Sequence, residues 1–169
     1  MTSSLLPDVW AEFVELLKES TAQEYGDKLE AIVHFGSTFD GIHKAQSDVD
    51  LFIIARALPA DPRARYNGFE NVERRLASTL IEIQRQGVTL ELSPILRTPE
   101  EAQRFSILYL DWLHACRILY DAKGTAQILV DRTREWVTKS GASRVTIAGV
   151  TTWRFADDPK QPGKFPIGW

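Results

Sequence analysis

The chain has 169 residues, 44% of them apolar, enough for one domain with its own core, and its single cysteine and three histidines cannot supply a disulfide framework or a structural zinc site. Twenty Lys and Arg against 23 Asp and Glu give a net charge of -3, which disfavours a broad cationic surface for extended nucleic acid but leaves the end of an RNA open as a substrate. No basic leader precedes an apolar run and no stretch reaches membrane-spanning length, so a soluble cytoplasmic protein is expected.

In chain order, residues 7–25 carry Trp10, Phe13, Val14 and Leu17 at helical spacing behind Pro7, and Gly26 ends the helix. Residues 29–35 read as a buried strand, closed by a Gly36-Ser37 turn that opens a short helix, and residues 49–55 as a second buried strand. Residues 61–87 form a long helix with Phe69, Val72, Leu76, Leu80 and Ile83 on one stripe and Gly87 at its C-cap. Residues 88–96 alternate, Leu90 and Leu92 inward, Thr89, Glu91 and Ser93 outward. Thr98-Pro99-Glu100-Glu101 is a capped helix start, residues 117–120 a short strand, 125–139 a closing helix, and 143–148 with 151–155 a late hairpin. Strands alternating with helices predict an α/β or α+β sheet covered mainly on one face, a single domain over residues 1–156 and an irregular tail over 157–169.

The segment HFGSTFDGIHKAQSDVDLFIIAR, residues 34–56, carries the chemistry. Gly36 and Ser37 end a strand where backbone N–H groups and a hydroxyl can meet a phosphate. Asp48 and Asp50, two apart on a strand, share a face and make a seat for Mg²⁺, a hard cation that keeps positions open for water and substrate phosphate. In isolation an Asp-x-Asp pair is more often a solvated turn. Here it runs straight into LFIIA, where two like charges need compensation, and it follows a Gly-Ser turn. A P-loop is excluded, because the only Gly-Lys, Gly163-Lys164, runs into Phe165-Pro166, and an EF-hand is excluded by Phe52 and Ile53.

Gly36-Ser37, Gly41 and Ser47-Asp48-Val49-Asp50-Leu51, at these spacings, resemble the signature of the DNA polymerase β-like nucleotidyltransferase superfamily. The resemblance is firm over residues 34–56 and looser over 88–120. It implies a mixed sheet with flanking helices, a nucleoside triphosphate held at Gly36, Ser37 and Ser47, and two divalent ions, Mg²⁺ or Mn²⁺, held by Asp48, Asp50 and a third acid. Glu91 is the candidate for that acid, from its place on the open face of an alternating strand, with Asp111 and Asp121 as competitors. Many relatives carry an arginine soon after the Gly-Ser pair; here Thr38, Phe39 and Asp40 occupy the turn, so charge for the triphosphate is sought at Lys44, Arg56 or Arg97. Asp40 reads as a turn carboxylate.

The implied reaction moves a nucleoside monophosphate, AMP first, from ATP or another triphosphate to a hydroxyl of a protein or small molecule and releases pyrophosphate. The alternative is a non-catalytic nucleotide-binding or antitoxin-like partner-binding module. The short chain leaves room for a second subunit or a protein partner to complete the cleft. His34 reads as a sheet histidine, His43 as a turn residue near base or ribose or in solvent, and Cys116 as core. Trp112, Trp136 and Trp153 read as core or interface aromatics, with base stacking a minority reading for Trp153 and Trp169.

Overall fold

Seven consecutive buried residues make β1 (Leu29–Phe35), and β2 (Gln46–Ala55) is buried without a break from Leu51 onward; strands shielded on both sides belong in the middle of a sheet. In the computed structural model, which describes residues 5–41 and 44–155, they are the two inner strands of a four-stranded sheet of order β3-β2-β1-β4. The expectations for His43, Trp169 and the tail lie outside the described residues. β3 (Thr89–Arg97) and β4 (Cys116–Asp121) are the edges. β1 runs antiparallel to both β2 and β4, whereas β2 and β3 are parallel and are joined through α2 (Pro62–Arg85), the long crossover that parallel neighbours require. A mixed sheet with flanking helices is therefore observed.

Both faces are covered, which corrects the expectation of cover mainly on one. On the first face α1 (Pro7–Tyr25) and α2 set Phe13, Leu17, Phe69 and Leu76 against Ile32, Val49, Leu51 and Ile53. On the second, α3 (Pro99–Ala102), α4 (Leu108–Trp112) and α5 (Thr125–Ser140) bring Tyr109, Trp112 and Leu129 onto Val33, Phe35, Phe52 and Ile54. Both the odd and the even positions of β2 after Leu51 are apolar, so each face demands a helical layer. The second face turns polar at Gln46, Asp48 and Asp50, where that layer stops. β5 (Ser143–Ile147) and β6 (Val150–Arg154) form a separate hairpin, attached where Trp153 and Phe155 pack around Leu110 and Trp136.

Two differences from the sequence reading bear on the site. β2 begins at Gln46 instead of residue 49, because its ladder with β3 already starts at Gln46 opposite Thr89 and carries the polar residues along. After Gly36 the chain makes a turn and not a short helix, closed by the Gly41 N–H donating to the Thr38 carbonyl at 3.0 Å. Thr98 and Glu101 form the reciprocal capping box that the sequence predicts, and at the start of α2 the Asp61 carboxylate accepts from the Arg63 N–H at 3.0 Å.

Candidate active site

The register of three strands assembles the site. Asp48 and Asp50 stand on the same face of β2, opposite Glu91 and Ser93 of β3, on strands about 4.8 Å apart. Phe35 of β1 is paired with Asp50, so the next residue, Gly36, passes over the Asp50 side chain. The fit is tight. A Cβ on Gly36 would fall inside the van der Waals envelope of Asp50 Oδ2 and 3.2 Å from its Cγ, and the backbone there has φ of 81°, the left-handed region. The glycine that the sequence reading kept clear for a phosphate is thus required first by the carboxylate beneath it.

The backbone of the turn is also differently engaged. The Gly36 N–H donates to the Ala115 carbonyl at 3.2 Å and is not a free anion donor. Ser37 is exposed, and its hydroxyl has no partner among the described residues. Ser47 is drawn elsewhere: buried on the opposite face of β2 from the aspartates, its hydroxyl accepts from the Lys44 N–H at 2.8 Å and holds the turn into the strand.

Thr38 was missed by sequence reasoning. Its hydroxyl donates to the Asp48 carbonyl at 3.0 Å and accepts from His34 Nε2 at 2.9 Å, with both side chains buried. The single hydroxyl proton is committed to Asp48, so His34 carries its proton on Nε2. This links β1, the turn and the backbone of the first aspartate. His34 itself packs against the Trp10 ring, centroids 5.5 Å apart, as a sheet histidine.

Burial raises the Asp50 carboxyl above the usual carboxylate range, the Asp48 charge raises it further, and a hydrogen bond from Ser93 partly offsets both. No lysine or arginine forms an ion pair with Asp48, Asp50 or Glu91 among the described residues. Two adjacent carboxylates without a countercharge suit a hard divalent cation, and the residues present fit one. Glu91 lies on the same face but is not drawn in: its Oε1 accepts from Gln46 Nε2 at 3.1 Å, and among the described residues no three acidic, histidine or cysteine side chains converge tightly enough to hold an ion. Of the competing acids, Asp121 caps α5 by accepting from the N–H groups of Ala126 and Gln127, and Asp111 lines a cavity beside Trp153 on the hairpin.

Among the three candidate cations, Arg56 is spent beyond the far end of β2, where it pairs with Asp27 and Glu30. Arg97 stands opposite Ile54, four residues past Asp50. Lys44 is exposed, enters no ion pair among the described residues, and lies two residues before β2.

This geometry meets an independent likeness. The chain is 29% identical over 153 residues to a protein of Methanocaldococcus jannaschii named "Putative protein adenylyltransferase MJ1305", a match spanning 80% of this chain and 96% of that one. That match agrees with the resemblance carried by residues 34–56. Solved structures similar to this chain include a toxin-antitoxin with AMP-PNP (TM-score 0.47, 20% identity, 75% of this chain and 87% of that one) and the toxin-antitoxin MntA-HepT (TM-score 0.46, 15% identity, 76% and 87%). No family model matches the chain. None of its described helices is long and apolar enough to cross a membrane.

Proposed function

We propose that the protein transfers AMP from ATP to a hydroxyl group of a protein or small-molecule acceptor, with release of pyrophosphate. The observation that carries this reading is the pair Asp48 and Asp50, on one strand face, unpaired with any cation among the described residues and set directly beneath the Gly36-Ser37 turn. Asp48 and Asp50 would hold Mg²⁺, which when bound neutralises triphosphate charge and acidifies an acceptor hydroxyl. Glu91, opposite Asp48, would complete the set by exchanging its Gln46 contact for the shared ion, and would take the acceptor's proton.

The remaining groups bind and orient. Ser37, exposed at the tip of the turn, donates its hydroxyl to a phosphate oxygen, and Lys44 supplies the countercharge that an arginine in the turn would give. Thr38 fixes the height of the turn over β2, so that phosphate and carboxylates keep one spacing. The likeness to a protein named as an adenylyltransferase supports AMP as the transferred group.

The test is incubation of the purified chain with ATP labelled at the α-phosphate, Mg²⁺ and a cell extract as the source of acceptors. Label should move to an acceptor with wild type and fail to move with Asp48→Asn, Asp50→Asn or Glu91→Gln. Wild-type turnover by either asparagine variant would overturn the assignment.

A further inference from the structure

Beyond Asp50 the same face of β2 continues into a cavity of about 560 Å³ that the chemistry above does not use. Phe52 and Ile95 form its floor and Phe105 and Tyr109 its walls, a volume and character in the range of small-molecule sites. Arg97 and Arg104 also line it. Among the described residues Arg104, which is exposed, has no ion pair, and the only side-chain hydrogen bond of Arg97 goes to the neighbouring Leu96 carbonyl at 3.2 Å, with its charge also felt by Glu101.

The one acid lining the cavity, Glu101, is already committed. It accepts from both terminal nitrogens of buried Arg65, at 2.6 and 2.9 Å, and from the Thr98 N–H at 3.0 Å. Two arginines therefore face an aromatic-walled space with a net positive charge and open donors, an arrangement that takes a carboxylate or phosphate. The spacing is also defined. Phe52 lies one same-face step past Asp50, about 7 Å, and Arg97 stands at the level of Ile54, about 13 Å along the strand.

We infer that this cavity is the acceptor subsite, and that the acceptor carries an anionic group roughly 10 Å from its reacting hydroxyl, joined by an apolar middle that lies on Phe52 and Ile95. The inference rests on the proposed transfer only for its orientation. Anion binding by the cavity stands or falls on its own.

The experiment is an NMR titration of the full chain, without metal or nucleotide, using 6-hydroxyhexanoate, 6-hydroxyhexyl phosphate and 1-hexanol as probes. Either anion should bind at least about tenfold more tightly than the alcohol, the scale of one charge-assisted contact, and the tighter of the two identifies the preferred headgroup. Arg97→Gln and Arg104→Gln should each weaken anion binding several-fold and leave hexanol unchanged, with thermal midpoints showing that the variants fold; if one does not fold, the other decides. Equal affinity for acid and alcohol, or unchanged anion binding in the folded variants, overturns the subsite. Anion binding without label transfer in the assay above overturns the transfer reading and leaves the cavity's specificity in place.

Discussion

At Asp50 the demands of packing and of chemistry oppose each other. The carboxylate is partly buried, sits beside a second acid and lies under the backbone of Gly36. Because its folded-state pKa is raised above the unfolded value, the folded chain binds the extra proton. This contribution therefore lowers stability as pH rises from about 3.8 through the raised value, and the loss persists at neutral pH. Asp50→Asn should raise the thermal midpoint at pH 7 and flatten its dependence across that acid window; a lower midpoint would remove the assigned strain. Gly36→Ala should cost about 1–3 kcal/mol in urea denaturation, since a left-handed φ and the contact with Asp50 act together. The spacing of Gly36, Asp48 and Asp50 was legible because it is local. The reason for the glycine was not, since it depends on a contact between β1 and β2 that only the register creates.

The turn and the short α3 show what single elements contribute. Thr38→Val would remove both the acceptor for His34 Nε2–H and the donor to the Asp48 carbonyl, so a loss of about 1–3 kcal/mol is expected, with Thr38→Ser restoring most of it. If the turn positions Asp48 for catalysis, the valine variant should also lose transfer rate beyond its loss of nucleotide affinity, as comparison of kcat with KM would show. In α3, Glu101 has two tasks: it caps its own helix and anchors Arg65 at the start of α2. Hydrogen bonding to Arg65 pushes the Glu101 carboxyl down to about 2, so its contribution is full above the ordinary 4.5 and is lost as pH falls from there toward 2. Glu101→Gln should remove about 2 kcal/mol at pH 7 and make the acid-unfolding curve shallower. The capping box was readable from Thr98-Pro99-Glu100-Glu101, whereas the Arg65 partnership, spanning 36 positions, left no local trace. The expected short helix after Gly36 failed for a related reason: Thr38 takes its bonds from two strands, and so the chain stays a turn.

For the molecule as a whole, the strands were legible because their apolar runs are short, β-branched and bounded by turn residues. The second helical layer was harder to foresee, since α3 and α4 have only four and five residues and present no long stripe. Glu91 could be placed on the open face by alternation, but its bond to Gln46 joins residues 45 apart in sequence. Addition of Mg²⁺ should raise the thermal midpoint of the full chain, because an ion that binds only the folded carboxylates shifts the equilibrium by mass action. Asp48→Asn with Asp50→Asn should abolish that rise; a persistent rise would locate the ion elsewhere.

The alternation along β2 has a bearing on how the chain finds its fold. A slip of one residue against β1 or β3 would turn Asp48 and Asp50 into the layer of Phe13, Leu17 and Phe69 and move Val49 to the polar end of the opposite face. Burying two unpaired carboxylates in that layer would cost far more than a misaligned apolar strand. The acids thus act as a ruler during assembly, penalising every slip by an odd number of residues. A chain carrying Leu at both positions should keep a collapsed, strand-rich state yet refold to a mixture of alignments, visible as multiple resonances for β1 amides where the native chain shows one set.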